Sequence, residues 1–359
     1  MPHPPSLIGK VLRAVPLLAG LALTGCAVEG SGLQSQKLAA VKARGELVCG
    51  VDGKLPGFSF VAPDGRYQGF EVDLCRAVAA GVLSDPGRVQ FRDLSASERF
   101  AAVNSGEVDL LSRSTTMTLS RDAAGGNALS FGPIHFYGGQ AVMVNAGSGI
   151  TTLKQLAGKP ICVTTGTTTE LNLADRMREL NAAYMPLKFQ NDGQTYAAYL
   201  QGRCVAVTSD RALLAAKRSS FPDPKAHVLL AGDLSKEPLA TATVNGDPVW
   251  ADAVRWITYA LMQAEESGIT QANVEAKLAE AKADSNQADL RRFLGVDGQL
   301  GQQLGLPADF VVQVIKATGN YGEIFDRNLG VNTRINLERG TNRQWTDGCL
   351  LYTSPSPRD

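Results

Sequence analysis

A repeated order of secondary structure in its two halves limits the folds that this chain can adopt. Residues 45–49 (GELVC) open one strand in the first half, and residues 158–162 (GKPIC) open the matching strand in the second. A helix, a glycine turn and a strand then follow at 101–111 and again at 197–207. Strands that alternate with helices predict parallel sheets with covered faces. The 359 residues have room for two such α/β lobes of about 100 residues each.

Two further strands connect the predicted lobes. Residues 140–145 (QAVMVN) form a strand with no helix before it, and residues 239–244 (LATATV) form a second crossing. Helices at 249–266, 271–283 and 309–319 follow, and we expect them to return to the first lobe. Two lobes joined by two strands make a hinge with a cleft between them. The predicted segments are a first lobe of residues 40–139 and 244–348 and a second lobe of residues 140–243.

The N-terminus carries a targeting signal. Lys10 and Arg13 precede an apolar run at 14–23, which is too short for the ~20 residues of a spanning helix. The basic start, short apolar run and small-residue end are typical of a secretory signal. The letters LTGC, ending at Cys26, also resemble a bacterial lipobox, in which that cysteine is acylated and becomes the new N-terminus. Cleavage near Ala27 without a lipid is the alternative. Both place the mature protein outside the cytoplasm.

These features divide the two ends of the chain into three segments. We predict a signal peptide with lipobox at 1–26 and a flexible Gly/Ser/Gln-rich tether at 27–39. Residues 349–359 are interrupted by Ser and Pro and show no helical or strand periodicity. We predict that they are not native.

The composition excludes several classes of function. Lys+Arg and Asp+Glu balance at 35 each, so a large nucleic-acid surface is not expected. The chain has 3 His and 6 Cys, with no CxxC and no cluster at metal-ligand spacing. It contains no GxSxG, P-loop or metal-enzyme motif. We therefore expect no metal, no cofactor and no enzyme activity.

Four cysteines remain for disulfides when the N-terminal Cys26 and the tail cysteine are set aside. Four cysteines allow three connectivities. We favour the pairs Cys49–Cys75 and Cys162–Cys204, because each pair is local and falls within one half of the chain. The alternative of four buried free thiols fits an oxidising compartment less well.

Four segments carry a resemblance to a known family. They are LPGFSF with GFEVDL (55–60 and 69–74), ERF through STTMTLSRD (98–100 and 114–122), GTTTELNLAD (166–175) and GNYGEIF (319–325). With these segments, the sequence resembles the type II extracytoplasmic solute-binding proteins of the polar amino acid class, and within them the general L-amino acid binding proteins of ABC transporters. The resemblance covers about residues 40–348. It implies a two-lobed periplasmic-binding-protein fold, a periplasmic, monomeric protein, and an inner-membrane ABC permease as partner.

The resemblance also implies which groups bind a free L-amino acid. Arg121 would bind the ligand carboxylate together with the backbone N–H groups of Thr116 and Thr168. Asp210 would pair with the ligand ammonium, aided by the Ser114 carbonyl and the Thr116 hydroxyl. The chemistry fits, because a guanidinium binds a carboxylate bidentately and a helix N-terminus favours an anion. The residues alone also allow a solvated arginine, a threonine cap and an aspartate helix cap.

Side-chain selectivity rests on weaker signals. Asp52, Leu55, Phe58 and Tyr137 are candidates for the side-chain part of the cleft, although the two aromatic residues suit the core equally well. The family usually has an Asp and an aromatic residue in the strand before the ammonium site, where residues 205–207 (VAV) stand here.

Two functions other than import stay open. A sensor subunit would report the ligand to a membrane receptor, and a periplasmic lyase would act on an amino-acid-like acid with the same fold.

Overall fold

The structure, a computed structural model, describes residues 35–351. The predicted signal peptide, the predicted lipid attachment at Cys26, most of the predicted tether and residues 352–359 of the predicted tail lie outside the described residues. No helix within the described range combines the length and the apolar character that crossing a membrane requires.

The predicted tether extends too far, because helix α1 (Gln36–Arg44) begins within it. The Ser35 hydroxyl caps the helix by accepting the Leu38 N–H at 2.8 Å. It also donates to Asp247 Oδ2 at 2.8 Å. Leu38 and Val41 are buried three positions apart on one helix face. The cap and this apolar face hold the segment against the first lobe.

Strands and helices alternate through most of the described chain, as the repeated pattern predicts. The strands are β1 (Leu47–Val51), β2 (Lys54–Leu55), β3 (Ser59–Val61), β4 (Tyr67–Gln68), β5 (Val89–Asp93), β6 (Leu110–Thr116), β7 (Leu129–Asn145), β8 (Pro160–Thr164), β9 (Met185–Phe189), β10 (Ala206–Asp210), β11 (His227–Leu229) and β12 (Lys236–Val244). The helices after α1 are α2 (Phe70–Leu83), α3 (Arg99–Asn104), α4 (Leu119–Asp122), α5 (Thr168–Glu179), α6 (Asp192–Leu200), α7 (Arg211–Arg218), α8 (Pro248–Glu266), α9 (Val274–Ala283), α10 (Ala288–Phe293), α11 (Leu300–Gln303), α12 (Phe310–Thr318) and α13 (Tyr321–Asn328).

The large sheet has the order β5–β1–β6–β12–β7–β10–β8–β9, with β11 paired to β7. In the first lobe β1 is parallel to β5 and β6, and in the second lobe β8 is parallel to β9 and β10. The connecting strands β7 and β12 are antiparallel to their neighbours. The parallel order therefore holds for strands joined by helices, whereas antiparallel neighbours need no crossover helix.

Strand β7 passes from one lobe to the other. It has 17 residues, and its partner changes from β12 to β10 between Gly139 and Gln140. Strand β12 pairs with the first part of β7 over its whole length, and with β6 at Leu239, Ala240 and Ala242. The predicted second lobe, which runs to residue 243, is thus too long. Ala240 and Ala242 of β12 instead pack into an apolar cluster of the first lobe.

The helices after β12 return to the first lobe, as expected. Pro248 stands in the first turn of α8, and the Asp247 side chain accepts the Trp250 N–H. One apolar cluster joins α2 to α8, α12 and α13, and includes Phe70, Ile257 and Phe325. This packing fixes α2 above the sheet and so positions the loops at its end.

Both predicted disulfides are present. Cys49–Cys75 links β1 to α2, and Cys162–Cys204 links β8 to the turn before β10. Each bond lies within one lobe, so neither restrains a motion of the lobes about the connecting strands. Cys349 is a free cysteine.

Candidate functional site

The predicted carboxylate site lies where β6 ends. Arg121, on α4, is only 5% exposed, and its Nη1 donates to the Thr116 carbonyl at 2.7 Å. Its guanidinium also lies 5.2 Å from the centre of the Phe100 ring. Burial lowers the pKa of Arg121, and Glu237 and Asp210 partly oppose this effect. The side chain is therefore a buried cation held at the sheet edge rather than a solvated charge.

The second lobe brings a helix N-terminus to the same place. Helix α5 begins at Thr168, and the Thr167 side chain caps it by accepting the Glu170 N–H. The Thr168 N–H is thus in the first turn, where helix donors have no partner within the helix. The hydroxyls of Thr116 and Thr168 lie 3.4 Å apart, which joins the two predicted carboxylate donors across the lobes.

The predicted ammonium partner, Asp210, is the last residue of β10 and is 5% exposed. Burial raises the pKa of Asp210 well above its usual value, and the nearby Glu237 carboxylate raises it further. Arg99 and Arg121 act in the opposite direction. A ligand ammonium beside Asp210 would therefore stabilise a carboxylate that is costly to ionise in a buried site.

Two further buried arginines, which the sequence did not single out, lie beside this site. Arg99, at the start of α3, is 3% exposed, and its Nη1 donates to the Arg113 carbonyl at 3.3 Å. Its Nε is buried and has no partner among the described residues. Burial, Arg113 and Arg121 all lower the pKa of Arg99. Arg113 itself is 6% exposed, and Leu94 accepts from its Nε at 2.6 Å.

Several contacts join the lobes directly. Arg113 of β6 pairs with Asp52 of its own lobe at 2.7 Å and with Asp192 of the second lobe at 3.2 Å. The Lys217 ammonium on α7 donates to the Lys54 carbonyl on β2. The described chain is thus in a closed arrangement, with the ends of β6 and β10 facing each other.

A hinge residue that the sequence did not predict also connects both lobes. Glu237, on β12, is 1% exposed. Its carboxylate accepts from Thr116 of the first lobe at 2.7 Å and from Thr168 and Asn172 of the second lobe at 2.8 Å each. The polar start of β12 gives no hint of this role, because its partners come from distant parts of the chain.

The four side-chain candidates separate into two groups. Asp52 pairs with Arg113 at the cleft, and Leu55 is buried on β2, beside α7. Phe58 is 1% exposed and packs edge-on against Phe70 and Phe136 in the core.

Tyr137 is partly buried and lies near α8. Burial and the neighbouring Tyr259 raise the pKa of Tyr137, and its backbone N–H donates to Asn342 at 2.6 Å. The structure therefore places Phe58 in the core rather than at the cleft, because its ring packs against other aromatic rings there. The role of Tyr137 stays a prediction.

The two lobes, the connecting strands and the charged cleft define a type II periplasmic solute-binding protein. Residues 47–296 match the bacterial extracellular solute-binding proteins, family 3. The chain belongs to this family, and it is an extracytoplasmic binding protein. Among residues 35–351 there is no group of His, Cys, Asp and Glu that could hold a metal ion.

Two similar proteins bind amino acids, as their names state. The chain is 45% identical over 315 residues to the glutamate/glutamine/aspartate/asparagine-binding protein BztA of Rhodobacter capsulatus, covering 88% of this chain and 91% of that protein. It is 43% identical over 341 residues to the general L-amino acid-binding periplasmic protein AapJ of Rhizobium johnstonii, covering 94% and 98%. Both relatives are substrate-binding proteins.

A solved structure is also similar over its full length. It is an ABC transporter periplasmic binding protein from Brucella ovis with glutathione bound, with a TM-score of 0.85 and 45% identity. The match covers 90% of this chain and 100% of that one. The receptor for L-cysteine of Neisseria gonorrhoeae is similar over a smaller part, with a TM-score of 0.56, 29% identity and 64% of this chain covered.

Proposed function

We propose that the protein is the monomeric substrate-binding subunit of an ABC-type importer, and that it binds free L-amino acids with polar side chains, above all glutamate, glutamine, aspartate and asparagine. The ligand enters the cleft between the lobes and is delivered to an inner-membrane permease. The related proteins of Rhodobacter capsulatus and Rhizobium johnstonii support this role.

The α-carboxylate and α-ammonium of the ligand need opposite charges at a fixed spacing. Arg121 and the N–H groups of Thr116 and Thr168 supply donors for the carboxylate. Asp210 supplies the anion for the ammonium, with the Ser114 carbonyl and the Thr116 hydroxyl beside it. These groups come from both lobes, so the ligand interacts more favourably with the closed form than with the open form.

The unpaired Nε–H of Arg99 carries the proposal for polar side chains. Its Nε is buried without a partner among the described residues, and a buried donor left unsatisfied costs about 1–3 kcal/mol. The oxygen of a ligand carboxylate or amide would satisfy this donor. An apolar ligand side chain would leave it unpaired, so the site should discriminate against leucine and alanine.

A ligand panel with a matched pair of variants tests this assignment. A ligand at 100 times its Kd should stabilise the protein by about 2.7 kcal/mol. We expect Arg99→Met to lower the affinity for L-glutamine about tenfold or more and to leave that for L-alanine within about threefold. Arg92→Met is the control, since Arg92 is an exposed residue of the same lobe paired with Glu107. A flat response to every amino acid would overturn the proposed function.

A γ-glutamyl peptide is a second candidate ligand, favoured by the glutathione bound to the similar Brucella ovis protein. The γ-glutamyl end of glutathione keeps a free α-carboxylate and α-ammonium, so the same two clamps suit it. Glutathione therefore belongs in the panel. Stabilisation by glutathione and not by L-glutamate or L-glutamine would make the peptide the ligand.

A further inference from the structure

Ser114 holds an unusual backbone conformation within the ligand-binding strand. Its φ is 38°, in the left-handed region, although it is not glycine. Such a conformation costs about 1–3 kcal/mol and persists only when its surroundings enforce it. Ser114 is 8% exposed and follows Arg113 at the end of β6. This backbone conformation determines the direction of the Ser114 carbonyl, the proposed partner of the ligand ammonium.

The buried carboxylate of Glu71 accepts two hydrogen bonds from Ser114 that hold this backbone conformation. Glu71, the second residue of α2, is fully buried. Its Oε1 accepts both the backbone N–H of Ser114 and the Ser114 hydroxyl, the latter at 2.7 Å. The Glu71 carbonyl accepts from Ser112 at 3.1 Å, and Oε2 accepts from Ser59 at 3.3 Å. One side chain thus joins α2 to the strand that carries the ligand groups.

We propose that Glu71 is a positioning residue for ligand binding, and that its ionised carboxylate holds Ser114 in the conformation that accepts the ligand ammonium. Ligand affinity then depends on the protonation of Glu71. This inference rests on the proposed function, because it takes the ligand to be an amino acid whose ammonium lies at Ser114.

The charges around Glu71 set the direction of this dependence. Arg113 faces it from β6, Asp52 faces it from the β1–β2 turn, and Arg113 is shared with Asp192 of the second lobe. Burial raises the pKa of Glu71 to about 7, and the bonds from Ser114 and the charge of Arg113 oppose that rise only in part.

Protonation should weaken ligand binding. It turns two charge-assisted hydrogen bonds to Ser114 into weaker neutral ones, and it removes a negative charge near the ligand ammonium. Affinity should therefore fall as the pH drops through about 7. The folding stability of the ligand-free protein changes in the opposite direction. Because the pKa of Glu71 is raised in the folded state, folding becomes more favourable as the pH falls toward the ordinary pKa of a glutamate carboxyl.

The test compares wild type, Glu71→Gln and Glu107→Gln by calorimetry with L-glutamine between pH 5.5 and 8.5. L-Glutamine suits this range because its side chain does not titrate. The glutamine amide in Glu71→Gln can accept from Ser114 and imitates the protonated carboxyl at every pH. Glu107 is exposed and pairs with Arg92, so its variant is the matched control.

We expect wild type and Glu107→Gln to bind L-glutamine about tenfold more tightly than Glu71→Gln at pH 8, as a one-unit shift of one pKa on binding requires. At pH 5.5 the three affinities should be about equal. Asp210 faces the cleft in all three proteins. Its titration therefore cancels when the affinities of two of these proteins are divided at the same pH.

Three results would overturn the inference. The first is that the curves of wild type and Glu71→Gln run parallel over the whole pH range. The second is that the pH dependence of Glu107→Gln changes as that of Glu71→Gln does, since an exposed carboxyl away from the cleft should have no effect. The third is that all three proteins bind none of the panel amino acids at pH 8, which would overturn the proposed function as well and so is distinct from the first.

Discussion

Replacing Asp192 by asparagine tests whether the ion pair between the lobes stabilises the closed cleft. Asp192 lies in the first turn of α6, and its Oδ2 is 3.2 Å from Arg113 Nη2. The Thr164 hydroxyl donates to its other oxygen at 2.7 Å. Asparagine can keep that acceptor and the shape of the side chain, so Asp192→Asn removes little besides the charge.

The size of the effect follows from what remains paired. Arg113 keeps its contact with Asp52 at 2.7 Å, so the substitution leaves no buried cation without a partner. The side chains of Arg113 and Asp192 are 7% and 30% exposed, between a surface pair and a fully buried one. We expect the closed form to lose about 1–2 kcal/mol. The apparent affinity should then fall about 5- to 30-fold.

The effect should not change with pH between 5 and 8. Burial opposes ionisation of Asp192, yet the charge of Arg113 and the Thr164 hydroxyl lower the pKa of Asp192 below its usual value of 3.8. A carboxyl whose pKa is lowered by folding stabilises the folded state fully when the pH is above its ordinary pKa. This stabilisation is lost only as the pH falls below that ordinary pKa. This distinguishes the Asp192 contact from that of Glu71.

Calorimetry with L-glutamine measures the affinity, and small-angle scattering measures the ligand-induced compaction. Asp175→Asn is the matched control, since Asp175 makes an exposed pair with Arg178 at 2.8 Å in the same lobe. A Kd for Asp192→Asn within twofold of wild type would refute the reasoning, because the pair would then contribute nothing to closure.

Three further predictions concern the clamp, the disulfides and the N-terminus. Arg121→Ala and Asp210→Ala should each weaken ligand binding by about 3–5 kcal/mol, measured by calorimetry, while circular dichroism remains that of a folded protein; near-normal affinity in either would mean that the clamp is wrongly assigned. Replacing Cys162 and Cys204 by serine should lower the free energy of unfolding in urea by about 3–4 kcal/mol, and an unchanged value would contradict this. Cys26→Ser should move the protein from the membrane fraction to the soluble fraction, and the lipid prediction is wrong if wild type is already soluble.

The family resemblance implied Arg121 and Asp210 as ligand groups, and the sequence did not single out the arginines around them. Arg121 lies within a family motif and Asp210 follows a strand, so both stand at recognisable points of the sequence, and their roles in binding stay predictions. Arg99 and Arg113 lie within or beside the same motifs. Their burial depends on packing between distant segments, which composition and periodicity do not report. The one usable signal for these two arginines was a nearby strand end, because open α/β sheets bind ligands at the ends of their strands.

The boundary of the second lobe could not be predicted for a similar reason. The pattern of residues 239–244 indicates a strand, and the structure contains it within β12. Such a pattern does not say which strand is the neighbour, and the pairing with β6 assigns β12 to the first lobe. Glu237 was missed with it, because its partners Thr116 and Thr168 come from both lobes.

Closure and selectivity are carried by different groups in this cleft, and the two variants described above separate them. The pair between Arg113 and Asp192 forms between protein groups alone, so its loss should lower the affinity for every ligand by the same factor. Arg99 has an unpaired donor, so its removal should weaken only those ligands whose side chain reaches it. The ratio of the affinities for L-glutamine and L-alanine should therefore stay constant in Asp192→Asn and fall in Arg99→Met. A fall in both would mean that the ligand side chain contacts the pair between the lobes, and closure and selectivity would then be one property of the site.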